Sequence, residues 1–170
     1  PPLRPEPEGL STRAPCRTLP AKGDPHDPGT YRLHRHRPDG PRHGEEHRDK
    51  GYPLIVIAHR NRAPVDDLIG RGASEASIED LAAQSTIVFL TLPSSPQVAE
   101  AVARMAPRLK PGSVIVDCST SDPTVTERLA ADLAAKGIHL ADAPLGRTPK
   151  EAWAGTLDCM VGAEPEVFAR

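Results

Sequence analysis

No apolar run among the 170 residues approaches the roughly 18 needed for a membrane-spanning helix, so no membrane partner is expected. The first residues lack the apolar core of a signal peptide, and a cytoplasmic location is the expectation. Cysteine is scarce and odd in number. Cys16, Cys118 and Cys159 lie far apart, which excludes a disulfide framework and fits reduced thiols. Charge of either sign is not in excess: the net charge is -2, which argues against a polyanionic partner, and no nucleic acid is expected. Residues 1–50 also lack any periodic apolar pattern, although they hold ten of the twenty prolines and five of the seven histidines. Such a segment buries too little apolar surface to offset chain entropy, and it is expected to be disordered.

Residues 51–170 read differently. Leu54–Ala58 (LIVIA) is a short continuous apolar run, as in a buried parallel strand. A helix is expected over Ala63–Arg71, with Pro64 early in it and Gly72 just beyond. Ser77 precedes a second helix, with Asp80 as the acidic partner of the cap. Thr86–Leu92 reads as a strand stopped by Pro93, followed by a helix over Pro96–Ala106 capped by Ser95. Ser113–Asp117 is the next strand. Asp122 then caps a helix from Pro123 to about Ala135, which Gly137 stops. Ile138–Leu140 and Leu157–Val161 read as short strands. This alternation argues an α/β fold with a doubly wound parallel sheet. In such sheets ligands bind beyond the carboxyl ends of the strands.

Four loops therefore carry the candidate chemistry. After the first strand stand His59, Arg60, Asn61 and Arg62. A dinucleotide site usually has an acid here for the ribose hydroxyls, whereas basic residues suit a 2′-phosphate. The arginines equally fit solvated loop cations. Leu92, Pro93 and Ser94 follow the next strand, where serine hydroxyls suit ligand oxygens. Ser119 and Thr120 end the third with no base nearby in sequence, so hydrogen bonding to a substrate is favoured over nucleophilic attack. Asp117 and Asp142 both end strands, as a carboxylate pair or as loop caps.

Taken together, LTLPSSPQV (90–98), LKPGSVIVDCSTSDP (109–123), GIHLADAPLG (137–146) and AGTLDCMVG (154–162) resemble the β-hydroxyacid dehydrogenases, the group of 3-hydroxyisobutyrate dehydrogenase and tartronate semialdehyde reductase. The resemblance covers about 51–170. It implies a Rossmann-type domain binding NADP (or NAD), then an all-helical domain, and homo-oligomers acting on a small hydroxyacid. It maps cofactor contacts onto Leu92, Pro93 and Ser94, beside His59, Arg60 and Asn61. It maps substrate contacts onto Ser119, Thr120 and the loop of Gly146 and Arg147. Arg147 stands where the family usually has glycine, and a guanidinium there either holds a second anionic group or points to solvent. The family's catalytic lysine would lie beyond Arg170, so no catalytic residue is assigned here. The fold expected is thus an incomplete Rossmann-type sheet, lacking its first strand, its glycine-rich turn and the helical domain. A 6-phosphogluconate dehydrogenase-like NADP-binding domain is the alternative within the enzymes.

The glycine-rich GxGxxG turn should lie about twenty residues before LIVIA. In its place stands RLHRHRPDGPRHGEEHRD (32–49), with four histidines and five arginines. Read one base out of step, the permitted codons for Leu33 to Arg48 spell FIGTGLMGHGMAKNIV. The three glycines of the turn then fall over Arg35, Arg37 and Gly40. Residues 1–48 are accordingly read as out-of-frame translation. The rivals are a non-catalytic α/β module whose histidines hold a metal or whose arginines bind nucleic acid. A proline-containing chain offers a metal no preformed geometry, and Asp39, Glu45, Glu46 and Asp49 dilute the positive charge. No metal site is assigned. The chain as written is expected to bind NADP poorly, to lack dehydrogenase activity, and to aggregate through the unpaired edge of the LIVIA strand.

Overall fold

The computed structural model describes residues 30–34, 53–58, 62–153 and 156–169. Six parallel strands form one sheet: β1 (Thr30–His34), β2 (Ile55–Val56), β3 (Ser74–Glu75), β4 (Ile87–Thr91), β5 (Val114–Asp117) and β6 (His139–Asp142). Their order across the sheet is β3-β2-β1-β4-β5-β6. This is the doubly wound order whose direction reverses between β1 and β4. Helices α1 (Ala63–Gly70), α2 (Ile78–Gln84), α3 (Ser95–Met105) and α4 (Pro123–Ala134) connect the strands, and short helices α5 (Pro149–Trp153) and α6 (Pro165–Phe168) follow.

The expectation of an empty first-strand position is corrected. β1 pairs with β4 from Thr30 opposite Ile87 to His34 opposite Thr91, and with β2 through Arg32 and Val56. The LIVIA strand therefore has its neighbour. A ladder is made by backbone amides and carbonyls, and no proline interrupts TYRLH. Judging the segment by its apolar pattern missed that. The rest of the expected disordered segment, residues 1–29 and 35–50, lies outside the described residues.

Period-2 alternation distributes β2 between two cores: Ile55 joins one, Leu54 and Val56 the other. The larger core gathers Val88 and Leu90 of β4, Ile115 of β5, and the inner faces of α2, α3 and α4. On α3 the buried set Val98, Ala101, Val102 and Met105 follows the i, i+3, i+4, i+7 stripe of an amphipathic helix. Val65 and Leu68 of α1 close the smaller core.

Two caps form as expected. Ser77 Oγ accepts from Asp80 N at 3.1 Å, and Asp122 Oδ1 accepts from Thr124 N at 2.8 Å. Gly137 ends the turn after α4 at φ 70°, a conformation glycine adopts freely. Ser95 does not cap α3; it is the first helical residue, and Ser94 stands at the cap position. Leu157–Val161 is not a continuous strand. Cys159 and Gly162 instead make isolated antiparallel bridges to Leu145 and Asp142. Among the described residues, no helix is long and apolar enough to cross a membrane.

Candidate cofactor and substrate site

Parallel strands place their following loops on one edge of the sheet. The loops after β4, β5 and β6 therefore follow one another along that edge: those bearing Leu92–Ser94 and Ser119–Thr120 are linked, while Gly146 and Arg147 are bonded to Asp158. His59, Arg60 and Asn61 lie outside the described residues.

Two hydrogen bonds join the first two loops. Leu92 N donates to Ser119 Oγ at 2.8 Å, and Asp122 N donates to Ser95 Oγ at 2.7 Å. Ser119 is buried at 2 % exposure, so its hydroxyl is first a link between loops. A hydroxyl that accepts still has a proton to donate, which keeps it usable toward a ligand. Thr120 is exposed beside it. Ser94 donates to Gln97 Oε1, turning its hydroxyl toward its own helix.

Asp117 holds this arrangement from beneath. The carboxylate, buried at 1 % exposure, accepts from Ser119 N at 2.9 Å and from Ser121 Oγ at 2.7 Å. Asp142 lies in register beside Asp117 on β6. Burial, and then the charge of Asp117, push the Asp142 carboxyl above its ordinary pKa. The folded state holds this proton to higher pH than the unfolded chain does, so the contribution to stability is complete below the unfolded pKa. It is lost as pH rises through the folded value. Asp142→Asn is therefore expected to flatten the decline in stability from about pH 4 upward. Urea melts at stepped pH check it, and an unchanged slope counts against the assignment.

Arg62 is not a free cation. Its guanidinium bridges Glu75 at 2.9 and 3.0 Å and Asp66 at 3.1 Å, and these carboxylates raise its pKa further. The solvated-cation reading is thus modified: Arg62 ties α1 to β3. Arg147 sits at φ 72°, and its Nε donates to Asp158 Oδ2 at 3.0 Å.

A nicotinamide dinucleotide would lie beyond the β1–β4 reversal. Thr91 ends β4 there, opposite His34, and its buried Oγ1 has no hydrogen-bond partner among the described residues. An orphaned hydroxyl at that point fits a ligand oxygen, since buried polar groups are otherwise paired. Thr91, Leu92, Pro93 and Ser94 would then hold the cofactor on this side. The three positions of the glycine turn, Arg35, Arg37 and Gly40, lie outside the described residues. No cluster of three or more metal-ligating side chains occurs among the described residues.

The sequence family described as the NAD binding domain of 6-phosphogluconate dehydrogenase matches residues 44–170. The chain belongs to that family, and with it to the β-hydroxyacid dehydrogenases. Their cofactor is NAD or NADP. Over 113 residues it is 37% identical to 2-(hydroxymethyl)glutarate dehydrogenase of Eubacterium barkeri, covering 64% of this chain and 37% of that one. Over 125 residues it is 32% identical to 3-sulfolactaldehyde reductase of Escherichia coli K12, covering 71% and 42%. The structure of Mycobacterium tuberculosis 3-hydroxyisobutyrate dehydrogenase with L-serine superposes with TM-score 0.76 at 20% identity, over 84% of this chain and 49% of that one, which shows the shared fold. The chain thus spans about two fifths of the curated relatives' length.

Sequence reasoning found the three described loops through the strand-end rule. It did not single out Thr91, and it left Asp117 between catalytic pair and loop cap. Asp158 was also missed, because its partner Arg147 lies eleven residues away and no local pattern links them.

Proposed function

We propose that the chain is the larger part of the cofactor half of an oxidoreductase that moves a hydride between NADP (or NAD) and a small 3-hydroxyacid or its semialdehyde. The observation that carries this is the Leu92–Ser119 hydrogen bond. It holds the loop beside the orphaned Thr91 hydroxyl against the loop bearing Thr120, so cofactor and substrate meet at one edge. Ser119 and Thr120 offer hydroxyl protons to a substrate oxygen, and Asp117 orients their loop. Hydride chemistry belongs to the nicotinamide. The basic His59–Arg60 loop supports the phosphorylated cofactor, and full-length homo-oligomers are part of the same reading.

In the same reading residues 1–48 are out-of-frame sequence, so the glycine turn is replaced and the chain is inactive. Two observations support this. The family match begins only at residue 44. β1 ends at His34, directly before the first of the three glycine positions in the shifted frame. The purified chain, mixed with NADPH and 3-carbon or 4-carbon semialdehydes, should show no change in absorbance at 340 nm above the blank. Measurable turnover would refute inactivity. Sequencing the coding DNA tests the cause: no base missing or extra between the codons of His26 and Gly51 would sink it.

A further inference from the structure

The segment that returns to the sheet after α5 is held at few points. Asp142 N donates to Gly162 O at 2.9 Å, and Gly162 N donates to Asp142 O at 2.7 Å. Gly146 N donates to Asp158 O at 2.8 Å, and Met160 N donates to Pro144 O at 3.4 Å. These contacts form two isolated bridges, and between them Met160 is 73% exposed. A segment with so little cover can open while the rest of the fold stays intact.

The anchor of this segment lies beside a second carboxylate. Asp117 and Asp142 are register partners on β5 and β6, so their side chains leave the same face of the sheet. Asp117 is buried and already accepts from Ser119 N and Ser121 Oγ. Asp142 is half-buried, and the returning segment is part of its cover: a methyl group on Gly162 would lie 3.9 Å from Asp142 Cβ. β5, α4 and α6 pack against β6. β5 brings only the charge of Asp117. α4 carries Glu127, Arg128 and Asp132, all exposed, with Asp122 at its cap, and α6 carries Glu166, with Glu164 at its cap. The returning segment adds Asp158, which is paired with Arg147. His139 lies three residues back on β6, on the opposite face. Of these charges, that of Asp117 is the one that adds to burial in raising the pKa of Asp142.

We propose that Asp142 is a proton-operated latch: protonated, it keeps the returning segment on β6 at Gly162, and loss of the proton frees that segment. While the segment covers it, an Asp142 carboxylate is poorly hydrated and repelled by Asp117. Release admits water and relieves both costs, so release and deprotonation favour one another. The latch is therefore closed at low pH and loosens as pH rises through the pKa of the closed state. Gly146 and Arg147 are bonded to Asp158, so the loop after β6 loosens with it.

Amide hydrogen exchange of the 170-residue chain between about pH 4 and about pH 8, corrected for the intrinsic pH dependence of exchange, tests this. Gly162 N reports the latch, and His139 N, bonded to Ser113 O at 2.9 Å, reports the sheet. Protection of Gly162 should fall about fivefold across this range, the scale of a like-charge pair on facing strand positions. It should stay below that of His139 at both ends, because the latch opens without unfolding the sheet. Asp142→Asn, neutral throughout, should keep the Gly162 protection level. Asp117→Asn should shrink the fall without abolishing it, since burial remains. No fall at Gly162, or the same fall in Asp142→Asn, would overturn the proposal. So would protection of Gly162 equal to that of His139 at every pH, since the segment would then leave only when the whole sheet unfolds.

Discussion

Replacing residues 33–48 with FIGTGLMGHGMAKNIV is expected to raise the affinity for NADPH about a thousandfold, from the loss of two charge-assisted hydrogen bonds being reversed. The pyrophosphate of a dinucleotide is held by backbone N–H groups of the turn and the following helix start. At about 2 kcal/mol per hydrogen bond to a charged group, near the lower end of the usual range, two of them account for about 4 kcal/mol, which is about three decades in Kd. The competing effect is the positive charge of Arg35 and Arg37, which attracts phosphate. Attraction across solvent is screened within about 8 Å at physiological salt. A glycine lets the backbone itself reach the phosphate, and a side chain at the same position fills that space. Close contact should win, so Arg35→Gly with Arg37→Gly alone should recover part of the gain; Gly40 is glycine in both frames. Quenching of NADPH fluorescence by the two chains measures the difference. Equal affinities would show that these residues were never a displaced cofactor turn.

The fold was legible where burial imposes a period. The stripe Val98, Ala101, Val102, Met105 declares α3, and the run around Val88 and Leu90 declares β4, because each buries a face against a large core. Pairing without burial leaves no such trace. Ser74–Glu75 is a strand of two exposed residues, recognisable only because Leu54 and Val56 carbonyls accept from Ser74 and Ala76. β2 shrinks from five expected residues to Ile55–Val56 for the related reason that β3 beside it is equally short. Thr30–His34 is placed in the sheet by its backbone ladder to β4 and β2. At the site, the strand-end rule located the loops, but not their connections. Leu92 to Ser119 spans 27 residues, and so does Ser95 to Asp122. Ser95 looked like a cap because Pro96 follows it; its hydroxyl in fact serves the next loop.

Asp117→Ala is expected to destabilise the chain by about 3 kcal/mol, while Asp117→Asn costs about 1 kcal/mol. In the alanine variant the buried amide of Ser119 loses its acceptor, and a buried unsatisfied group costs on the order of 1–3 kcal/mol. Ser121 Oγ, only partly buried, turns to water at little cost. The loss then passes to Leu92, since Ser119 Oγ holds that amide and is itself oriented by Asp117. One effect opposes this: removing the charge of Asp117 lifts one cause of the raised pKa of Asp142. Burial is the larger cause there, so the relief is partial. Asparagine keeps Oδ1 for Ser119 N, and its Nδ2 can donate to Ser121 Oγ, so both contacts survive in altered polarity. Comparing the variants therefore separates hydrogen bonding from charge. Urea denaturation reads the stability, and hydrogen exchange at Leu92 reads the link between loops. Equal stability of the alanine and asparagine variants, with Leu92 equally protected in both, would mean that the two loops hold together without Asp117.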